Sequence, residues 1–103
     1  DLNPMHLDDE YAEKNGFERK IVYGMLTASF YSTLAGVYLP GERCLFHECD
    51  VAWKKPVYIG DRLTIKGEIK EKDERFNRIF IKASILNQKG EKVSRATLVA
   101  GIR

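Results

Sequence analysis

The stretch from Ile21 to Gly41 carries no charged residue, and Pro40-Gly41 closes it. After it the apolar residues change period, from the 3.6 spacing of a helix to the 2 spacing of strands. A chain of 103 residues with one uncharged helix followed by strands has few ways to hide that helix. The run is as long as the ~20 residues that cross a bilayer. Yet Gly24, Thr27, Ser29, Ser32, Thr33 and Gly36 dilute it, and a helix apolar nearly all round equally suits a protein core. The strands need something to wrap, so the stretch is read as the core of an α+β roll and not as a membrane span.

Within that helix, expected over residues 25–39, Leu26, Phe30, Leu34 and Val37 form an apolar stripe. Ala28, Ser29, Ser32, Ala35 and Gly36 form a small-residue face, which lets a sheet or a ligand approach closely. Bulk at Gly36 or Ser32 is therefore expected to damage packing. Before the helix, Asn3-Pro4 marks a turn, Asp8 is expected to cap a short helix, and Gly16 to stop it. After it, Leu45, His47, Cys49, Val51 and Trp53 alternate with Phe46, Glu48, Asp50 and Ala52. Three more alternating runs follow, around Leu63–Ile69, Ile79–Ile85 and Val93–Ile102. Four strands joined by hairpin-length turns predict a curved antiparallel sheet. His47 and Trp53 are read as packing residues.

Seventeen basic against fifteen acidic residues leave +2, and the charges are interspersed, so no nucleic-acid stripe is expected. A hydrophobic fraction of 44% and a charged fraction of 31% exclude a disordered chain. The length fits one domain, residues 1–103, with one core. Cys44 and Cys49 lie five residues apart in one expected strand, so they point to opposite faces and cannot pair locally. No His/Cys set has metal spacing, and a reduced cytoplasmic compartment is expected.

The chemistry is carried by Asp1-Leu2-Asn3-Pro4-Met5-His6. An acid and an imidazole separated by Asn-Pro can share one tight turn and face one cavity. A carboxylic acid ordinarily titrates near ~3.9 and an imidazole near ~6.5, a pairing that suits moving a proton between water and a carbon acid. Gly24 stands where the uncharged helix begins. Its amide would be an unsatisfied donor at the positive end of the helix dipole, where an enolate-like oxygen could be held.

The run DLNPMHLDDEYAEKNGFERKIVYGMLTASFYSTLAGVYLPG resembles the signature of the MaoC-like dehydratases, the (R)-specific enoyl-thioester hydratases of the hot dog fold. Five landmarks fall in order: Asp-x-Asn-Pro-x-His, Gly-Phe, Ile-Val-x-Gly-Met, Leu-Pro-Gly, and later the Pro-Val-x-x-Gly-Asp of KKPVYIGDRLTIKGEI. The resemblance implies a hot dog roll and a hydro-lyase that adds water reversibly to a trans-2-enoyl thioester. It places the catalytic pair on Asp1 and His6, the oxyanion amide on Gly24, and supporting roles on Asn3 and Ser32, with Ser29 the weaker match. Met25 and Ser29 are weaker candidates for substrate contacts. Lys54 and Lys55 would greet the phosphates of coenzyme A or an acidic acyl carrier protein. No cofactor or metal is implied beyond the thioester handle. A homodimer or higher oligomer is expected, with substrate entering along the subunit boundary. In the family a strand and a helix precede the catalytic Asp, so this domain is expected to lack them, with earlier residues preceding Asp1. Two other functions stay open on the residues alone. A hot dog thioesterase would need a carboxylate on the helix, and residues 25–39 hold none; a non-catalytic acyl-binding or dimerisation module is favoured only if the segment expected before Asp1 is truly missing.

Overall fold

A computed structural model describes residues 1–103. Asn3 caps a 3-10 turn, Pro4–His6, by accepting the Met5 N–H at 2.9 Å, and Pro4 fits its first turn because its missing N–H is not needed there. Asp8 caps α1 (Asp9–Lys14) by accepting from the Tyr11 amide, and Gly16, at φ +92°, turns the chain out of it. The uncharged stretch forms α2 (Gly24–Thr33) and widens into a π-helical turn, Leu34–Tyr38. The strands are β1 (Cys44–Trp53), β2 (Thr64–Asp73), β3 (Arg78–Leu86) and β4 (Lys92–Ile102).

They form one antiparallel sheet in the order β1-β4-β3-β2. The connections from β2 to β3 and from β3 to β4 are hairpins, as expected. The connection from β1 is not: it crosses the roll through Lys54–Leu63 to the opposite edge. That crossover carries Pro56 and Val57 past the helix, where Val22 N–H donates to the Val57 carbonyl at 2.7 Å.

The core lies between α2 and the inner sheet face. Ile79, Ile81, Ala83, Ile85, Ala96, Leu98 and Ala100 meet Ala28 and Tyr31 there. The helix turns a different side inward from the one its apolar stripe suggests. Thr27, Ala28, Tyr31 and Ala35 are buried, while Leu26, Phe30 and Val37 are 43%, 39% and 60% exposed. Only Leu34 of the stripe packs against the core. Small side chains let the sheet approach closely, so Ala28 and Ala35 face it and the larger residues are left outside. Gly36 also departs from expectation, since a Cβ there would meet nothing within 4 Å.

β1 departs from simple alternation as well. Its register slips between Phe46 and Glu48, leaving His47 as the extra residue of a bulge. Phe46 therefore pairs with Ala100 and joins Cys49, Val51 and Trp53 on the helix side, and Leu45 falls on the other face. The same slip puts Cys44 and Cys49 on one face, not on opposite ones: Cys44 packs on the core and Cys49 beside Tyr31. Both remain free thiols, and burial, aided at Cys49 by Asp50, raises their pKa values. The His47 ring lies against Gly101, a packing role as expected.

A buried chain of hydrogen bonds ties the helix to the sheet. The Tyr31 hydroxyl donates to Ser94 Oγ, which donates to the Ala52 carbonyl, each at 2.9 Å. Burial holds the Tyr31 hydroxyl neutral by raising its pKa. No helix is long and apolar enough to cross a membrane.

Candidate active site

The turn Pro4–His6 is fastened to the segment before α2. Ile21 N–H donates to the Met5 carbonyl at 3.0 Å, and His6 Nδ1 lies 2.8 Å from the Ile21 carbonyl oxygen. A carbonyl only accepts, so Nδ1 carries the proton and Nε2 is the nitrogen left to exchange one. Nε2 lies 3.5 Å from Asp1 Oδ2. The other carboxylate oxygen of Asp1 accepts the Asn3 amide at 3.0 Å, and Asn3 Oδ1 accepts the Met5 amide. Asp-x-Asn-Pro-x-His thus closes into one turn, in which the Asn3, Met5 and His6 amides all bond within the motif and the Asn3 amide holds the acid toward the imidazole. The His6 side chain is only 16% exposed, and its ring meets the Tyr23 ring edge-on, with centroids 6.0 Å apart.

His6 opens into a cleft of about 380 Å³, lined also by Gly24, Thr27, Trp53, Lys54, Pro56 and Val57. Gly24 and Met25 begin α2, and neither amide has an acceptor in the chain. Free N–H groups at the positive end of a helix, beside an imidazole, are placed to hold an oxyanion. Gly24 has an ordinary negative φ, so conformation does not explain its glycine. A Cβ there would lie 2.7 Å from Trp53 Nε1, so the indole occupies the space a side chain would need.

The expected site residues divide between two clefts. Lys54 and Lys55 line the His6 cleft. Lys55 is already engaged by Glu91 at 2.6 Å, whose carboxyl the hydrogen bonds from Lys55 and Asn87 pull below its ordinary range. Met25, Ser29 and Ser32 instead line a mostly apolar cleft of about 640 Å³ between α2 and β1, with Phe46, Cys49 and Val51. The Ser29 hydroxyl is occupied by its own helix, donating to the Leu26 carbonyl. Two participants escaped the sequence reading. The Ile21 carbonyl carries no side-chain signal at all. Trp53, which lines both clefts, was read from its place in an alternating strand only as a packing residue. No group of three His, Cys, Asp or Glu side chains is placed to hold a metal ion.

The sequence of this chain is 44% identical over 69 residues to the (R)-specific enoyl-CoA hydratase of Aeromonas caviae, a match covering 67% of this chain and 52% of that protein. It is 38% identical over 63 residues to a mitochondrial 3-hydroxyacyl-[acyl-carrier-protein] dehydratase of Arabidopsis thaliana, covering 61% of this chain and 37% of the other. The chain therefore spans about half or less of the length of these relatives. The solved structure of the (R)-hydratase from A. caviae involved in PHA biosynthesis superposes with a TM-score of 0.93 at 34% identity, covering 100% of this chain and 78% of that one. The curved sheet around one helix is therefore the hot dog roll that the motifs imply. The model of the MaoC like domain family matches residues 1–90, spanning the acid–imidazole turn, α2 and the strands through β3, and the chain belongs to that family.

Proposed function

We propose that the chain catalyses reversible addition of water to a trans-2-enoyl thioester, giving the (R)-3-hydroxyacyl thioester. The observation that carries this reading is the 3.5 Å approach of Asp1 Oδ2 to His6 Nε2, at a cleft that also holds the unpaired Gly24 amide. Two hydrogen-bonding atoms that far apart can both reach one water at about 2.8 Å from each. In hydration Asp1, as carboxylate, takes a proton from that water while its oxygen bonds C3. Charge moves to the thioester oxygen, which the Gly24 N–H stabilises. Protonated His6 then delivers its Nε2 proton to C2, and the proton on Asp1 crosses to His6 to reset the pair.

Asn3 holds the turn in this reading. Met25, Ser29 and Ser32 border the apolar cleft, which suits the acyl chain, and Lys54 is the free cation for a phosphate of coenzyme A or for an acidic acyl carrier protein. The fold's two sheet edges, β1 and β2, have open sides. The chain exposes 6975 Å², against about 5900 Å² for a compact protein of its mass. Both features favour a homodimer in which a second copy covers the excess. The reaction asks only for proton transfer and charge stabilisation, so the reading needs no cofactor. Crotonyl-coenzyme A followed by loss of its enoyl-thioester absorbance tests it: turnover supports the reading, and binding without turnover would make the protein an acyl-binding module.

A further inference from the structure

Helices that begin with an ordinary cap spend a Ser, Asp or Asn side chain on the amides of the first turn. α2 does not. Its N-cap is Tyr23, with no side-chain hydrogen bond, and the Gly24 and Met25 amides stay free. A turn that keeps its donors for a ligand must be held from another side. Trp53 Nε1–H donates to the Gly24 carbonyl oxygen at 2.8 Å, and the indole lies so close to the Gly24 Cα that a methyl there would sit 2.7 Å from Nε1. Trp53 is itself fixed, because its strand partner is Ser94, the residue bonded to Tyr31 of α2.

We infer that Trp53 is a positioning residue for the oxyanion donor, latching the first turn of α2 by its carbonyl so that the Gly24 amide stays free and fixed at the His6 cleft. The inference rests on the hydratase reading for its catalytic consequence, but the latch itself can be seen without turnover. A hydrogen bond to the Gly24 carbonyl also polarises the peptide whose other end is the Met25 N–H, so the same contact fixes and strengthens a second donor. The indole nitrogen bonds the Gly24 carbonyl and neither Asp1 nor His6, so its effect belongs in kcat and not in the protonation of the Asp1–His6 pair.

The test uses the intact protein and its Trp53→Phe variant, which keeps an aromatic ring and removes the donor. By NMR, the order parameters of the Gly24 and Met25 amides should fall from the about 0.85 of rigid backbone toward 0.6 in the variant. With crotonyl-coenzyme A, kcat should fall about tenfold with KM within about twofold and the pH profile unmoved. Rigid amides and an unchanged kcat in a folded Trp53→Phe protein would overturn the inference. So would a shifted pH profile, which would place the effect on the acid–imidazole pair. If the variant does not fold, the wild type decides: its single indole N–H resonance should resist exchange with solvent, and a freely exchanging indole removes the latch. If the wild type shows a protected indole and rigid amides but no turnover, the hydratase reading fails while the latch stands.

Discussion

At the scale of single residues, what the sequence made legible was the acid, the imidazole and their spacing, because Asn and Pro between them fix a turn by local rules. What it concealed were the backbone carbonyl of Ile21, which any residue could supply, and the contact of Trp53 with Gly24, which depends on a sheet register no local pattern reveals. Gly24 was legible as the first residue of the uncharged helix, but not that an indole fills the space of its missing side chain. His6→Ala and Asp1→Asn should each lower hydration at least about a hundredfold with the fold intact; near-normal rates in steady-state assays would refute the assignment. Gly24→Ala should push the indole aside, cost about 1–3 kcal/mol of stability in thermal unfolding and lower turnover as well. Glu91 offers a pH test. Its carboxyl titrates below the ordinary 4.5 when folded, so its pairing with Lys55 stabilises the fold above that value and is lost as pH falls through the lowered one. The melting temperatures of wild type and Glu91→Gln should differ at neutral pH and converge in acid.

At the scale of elements, periodicity located α2 and all four strands and the inward faces of β2 and β3, but misjudged the inward side of α2 and of the start of β1. The helical stripe of Leu26, Phe30 and Val37 obeys the same spacing as a core stripe, and only the competition with Ala28 and Ala35 for closeness to the sheet decides against it. In β1 a single bulged residue, His47, reversed the facing of Phe46 and Leu45; alternation carries no mark of where a bulge falls. Two substitutions check this arrangement. Tyr31→Phe removes the hydroxyl that ties α2 to Ser94 and should cost about 1 kcal/mol in denaturant unfolding, because Ser94 keeps the Ala52 carbonyl as a partner. Gly36→Ala should be neutral or stabilise by up to about 1 kcal/mol, since its Cβ meets nothing and the unfolded chain loses freedom. Clear destabilisation by Gly36→Ala would mean that this face is covered after all.

At the scale of the whole molecule, the order β1-β4-β3-β2 was not legible, because a crossover and a hairpin look alike until one asks which strand lies beside which. The same order leaves β1 and β2 as open edges, while Leu26, Phe30 and Val37 of the helical stripe stay exposed, and the molecule is elongated, 52 × 27 × 18 Å. A second copy is the proposed cover, so sedimentation at micromolar concentration should show a dimer or larger; an active monomer would contradict it. The catalytic claim has its own direct measurement: crotonyl-coenzyme A converted in deuterated water, with the product resolved by NMR and chiral analysis. Addition from one face, water oxygen to C3 and the solvent-exchanged deuteron of His6 Nε2 to C2, should yield the (R)-3-hydroxybutyryl thioester with a single deuterium at C2, syn to the hydroxyl. An (S) product, a scrambled C2, or free thiol released by hydrolysis would contradict it.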